Sequence, residues 1–234
     1  MAKKISRKEL LHEPDEFITT STRVLQYARD NPKKIGFFIG LVVLAILAVA
    51  AGYSYHIYKL KTGHEMFMRA YWDYVKAVGS GKSIPEKKLD SLFKQFDQIA
   101  KNYGSYVSGE QALLYSGHVL YMKKDYKGAL ERYKRMKSTS LVKHGLGDLV
   151  IYNIAMTQIA LGNYEEAKKL FEQLSKDPDS PYRREAYSSI ASIYEKMGKN
   201  KEAIQAYRQY LKMFPQAPDA AYVKSRISAL APQS

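Results

Sequence analysis

The sequence predicts an all-α protein in which one membrane-spanning helix precedes an α-solenoid of about three to four helical hairpins and a capping helix. Two observations support this fold class. Residues 35–58 form a run of 24 without Lys, Arg, Asp or Glu, and a helix–turn–helix pattern recurs later at spacings of 38 and 36 residues. Repeats at such intervals are typical of solenoids, in which each hairpin packs on the next.

The apolar run is long enough to cross a membrane. A helix rises 1.5 Å per residue, so 24 residues extend about 36 Å, against roughly 30 Å of hydrocarbon. Tyr53, Tyr55 and Tyr58 lie at one end of the run and Lys33 and Lys34 at the other, where interfacial rings and snorkelling cations are favoured. The alternatives are a buried core helix and a cleaved signal peptide, but the run is long for either.

Charges beside the run favour a single-pass protein of a bacterial inner membrane, with residues 1–34 in the cytoplasm and the C-terminal domain in the periplasm. Four cations stand before the run and three after it: Arg23, Arg29, Lys33 and Lys34, then Lys59, Lys61 and Arg69. Positive segments close to a span resist translocation, whereas long domains cross largely regardless of charge. Within the first segment we expect an amphipathic helix at residues 15–30, ended by Asn31 and Pro32.

No motif in the sequence argues for catalysis. The chain has no cysteine, which excludes disulfides, thiolate metal sites and cysteine nucleophiles. Residues 78–83 resemble the end of a phosphate-binding loop, but Lys76 stands where its first glycine belongs, and a helix is expected where its strand belongs. The five histidines do not pair with carboxylates at metal-ligand spacing. We therefore predict no enzyme, no metal and no cofactor.

Each repeat combines a small residue with an aromatic ring one helical turn later. The pairs are Ala129 and Tyr133, Ala167 and Phe171, and Ala203 and Tyr207. A small residue lets two helices approach closely, and the ring fills the space beside it. The helix before each pair carries its own small residue, Gly117, Ala155 or Ala191, which we expect to face the alanine.

This arrangement resembles the tetratricopeptide repeat. The third unit matches the family pattern best, with Tyr187, Ile190, Ala191, Tyr194, Gly198, Ala203, Tyr207 and Pro215 in the family's order. The first unit has Lys124 where Gly162 and Gly198 form the turn of the others. We assign the repeats to residues 109–216, with a long loop at 138–147, a degenerate opening hairpin to 59–108 with helices at 64–78 and 86–102, and a capping helix and tail to 217–234.

The resemblance implies a protein-binding groove lined by the first helix of each repeat. Carried over to this sequence, its positions are Gln111, Leu114, Tyr115, His118, Tyr121, Met122, Leu149, Tyr152, Asn153, Met156, Ile159, Ala160, Glu185, Ser188, Ser189, Ser192, Glu195 and Lys196. Tyrosine and methionine suit extended or partly unfolded peptides. The alternative is that several of these rings pack between repeats or beneath the opening helices. The family's clamp for a terminal carboxylate is absent, because only Asn153 matches it.

The densest positive region lies around the turn of the first repeat. It comprises Lys123, Lys124, Lys127, Arg132, Lys134, Arg135, Lys137 and Lys143, which we call the basic patch. The net charge of +14 permits anionic lipid, acidic protein or nucleic acid as a partner. The patch lacks a groove-reading helix or a stacking platform, so we expect membrane head groups or acidic protein and no nucleic acid.

A short inner segment, one span and a translocated repeat domain together resemble the bacterial ancillary subunit of the Sec translocon. The resemblance implies an adaptor that binds unfolded polypeptides, translocon subunits or periplasmic chaperones and contacts lipid through its anchor. The alternative is a structural subunit of an envelope assembly complex, with a fixed partner in the groove.

Overall fold

The computed structural model describes residues 16–231, and side chains from residue 20 onward. This part of the chain contains helices and no strand, as the fold class predicts. It divides into two units between Tyr58 and Lys59, and each is described by itself. The predicted amphipathic helix is present as α1 (Glu16–Asp30), while its expected first residue, Asp15, lies outside the described residues.

Helix α2 (Pro32–Gly79) contains both the apolar run and the predicted helix at 64–78. We expected two separate helices, but the connecting residues 59–63 include no proline and one glycine, so nothing forces the helix to end. None of its most apolar 18-residue window is buried. By length and composition α2 could cross a membrane, and it is the one such helix in the described part of the chain.

Eight further α-helices follow in the described part of the second unit, and each one from α3 to α9 packs on the next. They are α3 (Glu86–Asn102), α4 (Val107–Met122), α5 (Tyr126–Met136), α6 (Gly147–Ala160), α7 (Tyr164–Lys176), α8 (Arg183–Lys196), α9 (Asn200–Met213) and α10 (Ala220–Leu230). The pairs α4–α5, α6–α7 and α8–α9 are the three predicted repeats. This succession, in which every helix contacts the next, is the packing of a solenoid.

The repeat turns share one backbone conformation. Lys124, Gly162 and Gly198 have φ of 62°, 79° and 72°, all in the left-handed region. Glycine adopts this region without strain, whereas a side chain with a Cβ does not. The first repeat therefore has the same turn geometry as the other two, but with Lys124, whose side chain strains this conformation.

The predicted pairs of small residue and ring form the repeat interiors. Ala129, Ala167 and Ala203 are fully buried, and the rings of Tyr133, Phe171 and Tyr207 are buried beside them. Ala155 and Ala191 are also fully buried. At Gly117 an added Cβ would lie 2.6 Å from the Tyr133 ring. The first repeat thus needs glycine where the other two accept alanine.

The segment predicted as a loop at 138–147 is partly helical. It becomes helical at Ser140 and then kinks before α6, with non-helical backbone angles at His144 and at Gly145, whose φ is 114°. The Glu110 carboxylate caps this start, because it accepts bonds from the Ser140 N–H (2.9 Å), the Ser140 hydroxyl (2.7 Å) and the Leu141 N–H (2.9 Å). Burial raises the pKa of Glu110, but these hydrogen bonds outweigh it and hold the pKa below its ordinary value.

Candidate protein-binding groove

Helices α2, α4, α5 and α6 line a cavity of about 330 Å³, which we call the aromatic pocket. Its walls are Tyr74, His118, Tyr121, Met122, Tyr133, Tyr152, Asn153 and Met156. Six of these side chains belong to the predicted groove. The other two were missed: Tyr133 was assigned to the repeat interior, and Tyr74 lies on α2, outside the repeats. Only the position of Tyr133 beside Gly117 in the repeat pattern could have indicated its role.

A second cavity of about 360 Å³ lies beside the first, and we call it the polar pocket. Its walls are Tyr152, Met156, Arg184, Glu185, Ser188, Ser189, Tyr210 and Asp219. Tyr152 and Met156 line both pockets, so the two cavities are neighbours on either side of these α6 residues, and we call them together the groove. The polar pocket adds three predicted groove residues, Glu185, Ser188 and Ser189.

His118 is held neutral inside the aromatic pocket. Its ring packs edge-on against Tyr115, at 5.3 Å between centroids, and 5.8 Å from the ring of Tyr133. Its Nε2 lies 3.4 Å from Asn153 Nδ2, which donates to it when the ring proton sits on Nδ1. Burial lowers the pKa of His118 from 6.5 to about 4. The pocket therefore presents no charge at neutral pH.

Two predicted groove residues lie in the core instead. Leu114 is 5% exposed. The Tyr115 ring stacks on Phe96, at 5.4 Å between centroids, and meets Tyr71 and Tyr74 edge-on. Burial and these neighbours raise the pKa of Tyr115 to about 12. These two residues therefore follow the alternative given above, in which side chains pack beneath the opening helices. The cause is that α2 and α3 cover this face of α4.

The remaining predicted groove residues lie outside both pockets. Leu149 packs against the core cluster that runs from α2 to α6, and Ile159 against the cluster of α6, α7 and α8. Neither pocket is lined by Ala160, Glu195 or Lys196. Gln111 and Ser192 are half-buried and line neither pocket. The groove is thus narrower than the sequence predicted and centres on α6.

Charged groups concentrate in the polar pocket. Arg184 Nη2 lies 2.6 Å from Glu185 Oε1, and its Nη1 lies 3.9 Å from Asp219 Oδ1. The Tyr210 hydroxyl donates to the same Asp219 oxygen, and burial with this bond raises the pKa of Tyr210 to about 12. Two carboxylates thus share one guanidinium.

The basic patch divides into two groups. Arg132 Nη2 lies 2.8 Å from Asp97 Oδ1, with both side chains largely buried, and Lys123 pairs with Asp90. These two cations hold α3 against the first repeat. The other six are exposed and form no ion pair with any residue of the described part: Lys124, Lys127, Lys134, Arg135, Lys137 and Lys143.

The family model of the tetratricopeptide repeat-like domain matches residues 33–232, so the chain belongs to this family. The match begins just before the apolar run and includes it. Two solved structures of TPR-like repeats from a putative kinesin light chain of Podosopora anserina, one of them of a point variant, are similar to it. Each has a TM-score of 0.53 and 15% identity over 73% of this chain and 84% of that chain, which shows the fold alone. No curated protein matches the sequence.

The fold and the groove define a class of protein. Domains of this family bind other proteins and are typically non-catalytic scaffolds. Within residues 16–231 no three His, Asp or Glu side chains come close enough to hold a metal ion. The chain therefore has the fold of an interaction scaffold, with a long apolar helix before it.

Proposed function

We propose that this protein is a membrane-anchored adaptor whose groove binds segments of other polypeptides. The observation that carries the proposal is the aromatic pocket, a neutral cavity lined by four tyrosines and two methionines and next to a second pocket. Tyrosine provides contact area at low entropic cost, and methionine repacks around ligands of different shape. A surface of this composition suits partners with varied sequences.

The dimensions of the groove fit an extended chain. Each pocket has room for a large side chain, and the two share the walls Tyr152 and Met156. Side chains on one face of an extended chain recur every second residue, about 6.5–7 Å apart. Neighbouring pockets can therefore take successive side chains from one face of a bound segment.

In the same proposal, residues 35–58 cross the bacterial inner membrane, residues 1–34 are cytoplasmic and the repeats are periplasmic. The exposed apolar side chains of α2 and the excess of cations before the run support this topology. The order of segments supports an ancillary role at the Sec translocon, in which emerging polypeptides pass to periplasmic chaperones. The six exposed cations of the basic patch supply a second contact, with lipid head groups or acidic protein.

Photo-crosslinking in cells tests the adaptor. A benzophenone amino acid at Met156 lies in the groove, and one at the exposed Lys169 on α7 is the matched control. We expect Met156 to capture translocon subunits, chaperones and a heterogeneous set of clients, all identified by mass spectrometry. Capture at the Lys169 level would contradict the proposal. One stoichiometric partner, retained in mild detergent, would favour the structural subunit instead.

Topology is tested separately. A reporter that is active only in the periplasm, fused after Ser234, should be active. Inactivity would place the repeats in the cytoplasm and remove the translocon and chaperone assignments.

A further inference from the structure

We propose that the groove selects segments in which a bulky apolar side chain is followed two residues later by lysine or arginine. This inference rests on the proposed function, because it names the kind of polypeptide that the groove prefers. The aromatic pocket takes the apolar side chain, and the polar pocket takes the cation.

The aromatic pocket disfavours charge. Six of its eight wall residues are tyrosine or methionine, and its other two, His118 and Asn153, face each other at 3.4 Å. A charged side chain would lose its hydration there without gaining an ionic partner, which is costly. A leucine-sized or phenylalanine-sized side chain would instead bury apolar area against the rings.

The polar pocket has the opposite chemistry. Arg184 contacts one oxygen of each carboxylate, Glu185 Oε1 and Asp219 Oδ1. The second oxygens, Glu185 Oε2 and Asp219 Oδ2, take no part in these contacts. Two carboxylates facing one guanidinium leave a net negative charge, and the Ser188 and Ser189 side chains add acceptor oxygens. A lysine or arginine would satisfy these acceptors.

The aromatic wall between the pockets adds to the preference for a cation. The Tyr152 ring stacks on Tyr182 at 4.7 Å between centroids. Burial raises the pKa of Tyr152, and the nearby Glu185 carboxylate raises it further. Cations are attracted to the faces of aromatic rings, and a carboxylate beside the ring, here that of Glu185, attracts them further. The six exposed cations of the basic patch do not line either pocket, so the local charge of the groove is opposite to that of the whole chain.

The spacing of the motif follows from the shared walls. Tyr152 and Met156 separate the two pockets, which are therefore nearest neighbours along the groove. In an extended segment, nearest neighbours on one face are two residues apart. The expected pattern is an apolar residue, any residue, and a basic residue.

Peptide binding to the full-length protein tests this inference. The protein is placed in nanodiscs of phosphatidylcholine, and fluorescence anisotropy follows blocked ten-residue peptides of glycine and serine that contain Leu-Ser-Lys, Leu-Ser-Gln or Leu-Ser-Glu. We expect the Lys peptide to bind about fivefold more tightly than the Gln peptide, the upper range for a partly exposed ion pair, and the Glu peptide more weakly than both. The advantage of Lys should shrink at about 1 M salt.

Two variants locate the effect. Glu185→Gln should remove the advantage of the Lys peptide and leave the Gln peptide within about twofold of its original affinity. Glu202→Gln makes the same charge change at an exposed position of α9 outside both pockets and should keep the advantage. Circular dichroism checks that both variants are folded.

The outcomes separate the two proposals. Equal binding of the three peptides would overturn the charge selection and leave the groove as a binding site. Preference for Glu would also overturn it, because Arg184 would then dominate the pocket. If none of the three binds more tightly than a peptide of glycine and serine alone, both the selection and the proposed function fail.

Discussion

The first and second repeats place equivalent side chains in different surroundings. Leu114 in α4 and Tyr152 in α6 occupy the same position of the repeat, yet Leu114 is in the core and Tyr152 lines both pockets. Phe67 and Phe96, from α2 and α3, belong to the core that covers α4, whereas the same face of α6 opens onto the groove. The packed neighbours, and not the repeat position, therefore decide whether a side chain lines the groove or supports the core.

The largest expected difference concerns the buried rings. Phe96 is fully buried against Phe67, Tyr74 and Tyr115. Phe96→Ala should lower the free energy of unfolding by about 3–5 kcal/mol, because it leaves a cavity in the core. Met156→Ala, in the groove wall, should cost less than about 1 kcal/mol. Urea unfolding of the full-length protein in detergent, monitored by tyrosine fluorescence, measures both changes. Equal losses of unfolding free energy would contradict the distinction between core and groove wall.

The next effect is a pH dependence that the first repeat should show and the second should not. His118 has a pKa of about 4 when folded, against 6.5 ordinarily, and no carboxylate lines its pocket. Between these values the unfolded chain binds the extra proton, so stability is full above pH 6.5 and falls as the pH drops towards 4. The loss at pH 4 is on the order of 3 kcal/mol.

The comparison of two histidine variants isolates this contribution. His118→Leu should weaken the dependence of the free energy of unfolding on pH between pH 6.5 and 4. His64→Gln, at an exposed position of α2, should leave this dependence unchanged. An unchanged slope in His118→Leu would show that the buried imidazole is not the source.

A smaller effect tests the space between the helices of a repeat. Gly117→Ala should destabilise by about 1–3 kcal/mol, because the new Cβ meets the buried Tyr133 ring. Ala155→Gly, the reverse change in the second repeat, should destabilise by about 1 kcal/mol through lost helix propensity. Thermal unfolding compares the two variants. A stabilised Gly117→Ala protein would show that the Tyr133 ring moves aside at little cost.

The smallest effect concerns the repeat turns. Lys124→Gly should stabilise the protein by up to about 1 kcal/mol, since it removes left-handed strain at a φ of 62°. Lys127→Gly removes the same charge inside α5 and should instead destabilise by about 1 kcal/mol. If both variants lose stability equally in thermal unfolding, the turn is not strained.

The sequence predicts the fold to the extent that local rules decide it. The turns at Gly162 and Gly198 and the buried pairs such as Ala167 and Phe171 follow from repeat spacing and are confirmed. The capped start at Ser140 was missed because its acceptor, Glu110, lies 30 residues earlier. The continuous α2 was missed because the change from apolar to charged residues after Tyr58 was interpreted as a helix end, although no helix-breaking proline follows it.

The groove was predicted only in part for a related reason. Its positions in α6 follow from the repeat alone, and Tyr152, Asn153 and Met156 do line the aromatic pocket. The surroundings of α4 depend on α2, which belongs to no repeat and contributes Tyr74 to the pocket while it covers Tyr115. No pattern within the repeats carries that information.

One measurement tests the central claim, that polypeptides bind to the open face of α6. Because the chain has no cysteine, Tyr152→Cys and Leu114→Cys each introduce a single thiol at equivalent repeat positions. Alkylation by a maleimide is timed with and without an excess of the Leu-Ser-Lys peptide. We predict that the thiol replacing Tyr152 reacts quickly and is protected by the peptide, while the thiol replacing Leu114 reacts slowly in both cases. Equal rates at the two positions, or no protection at position 152, would contradict the account.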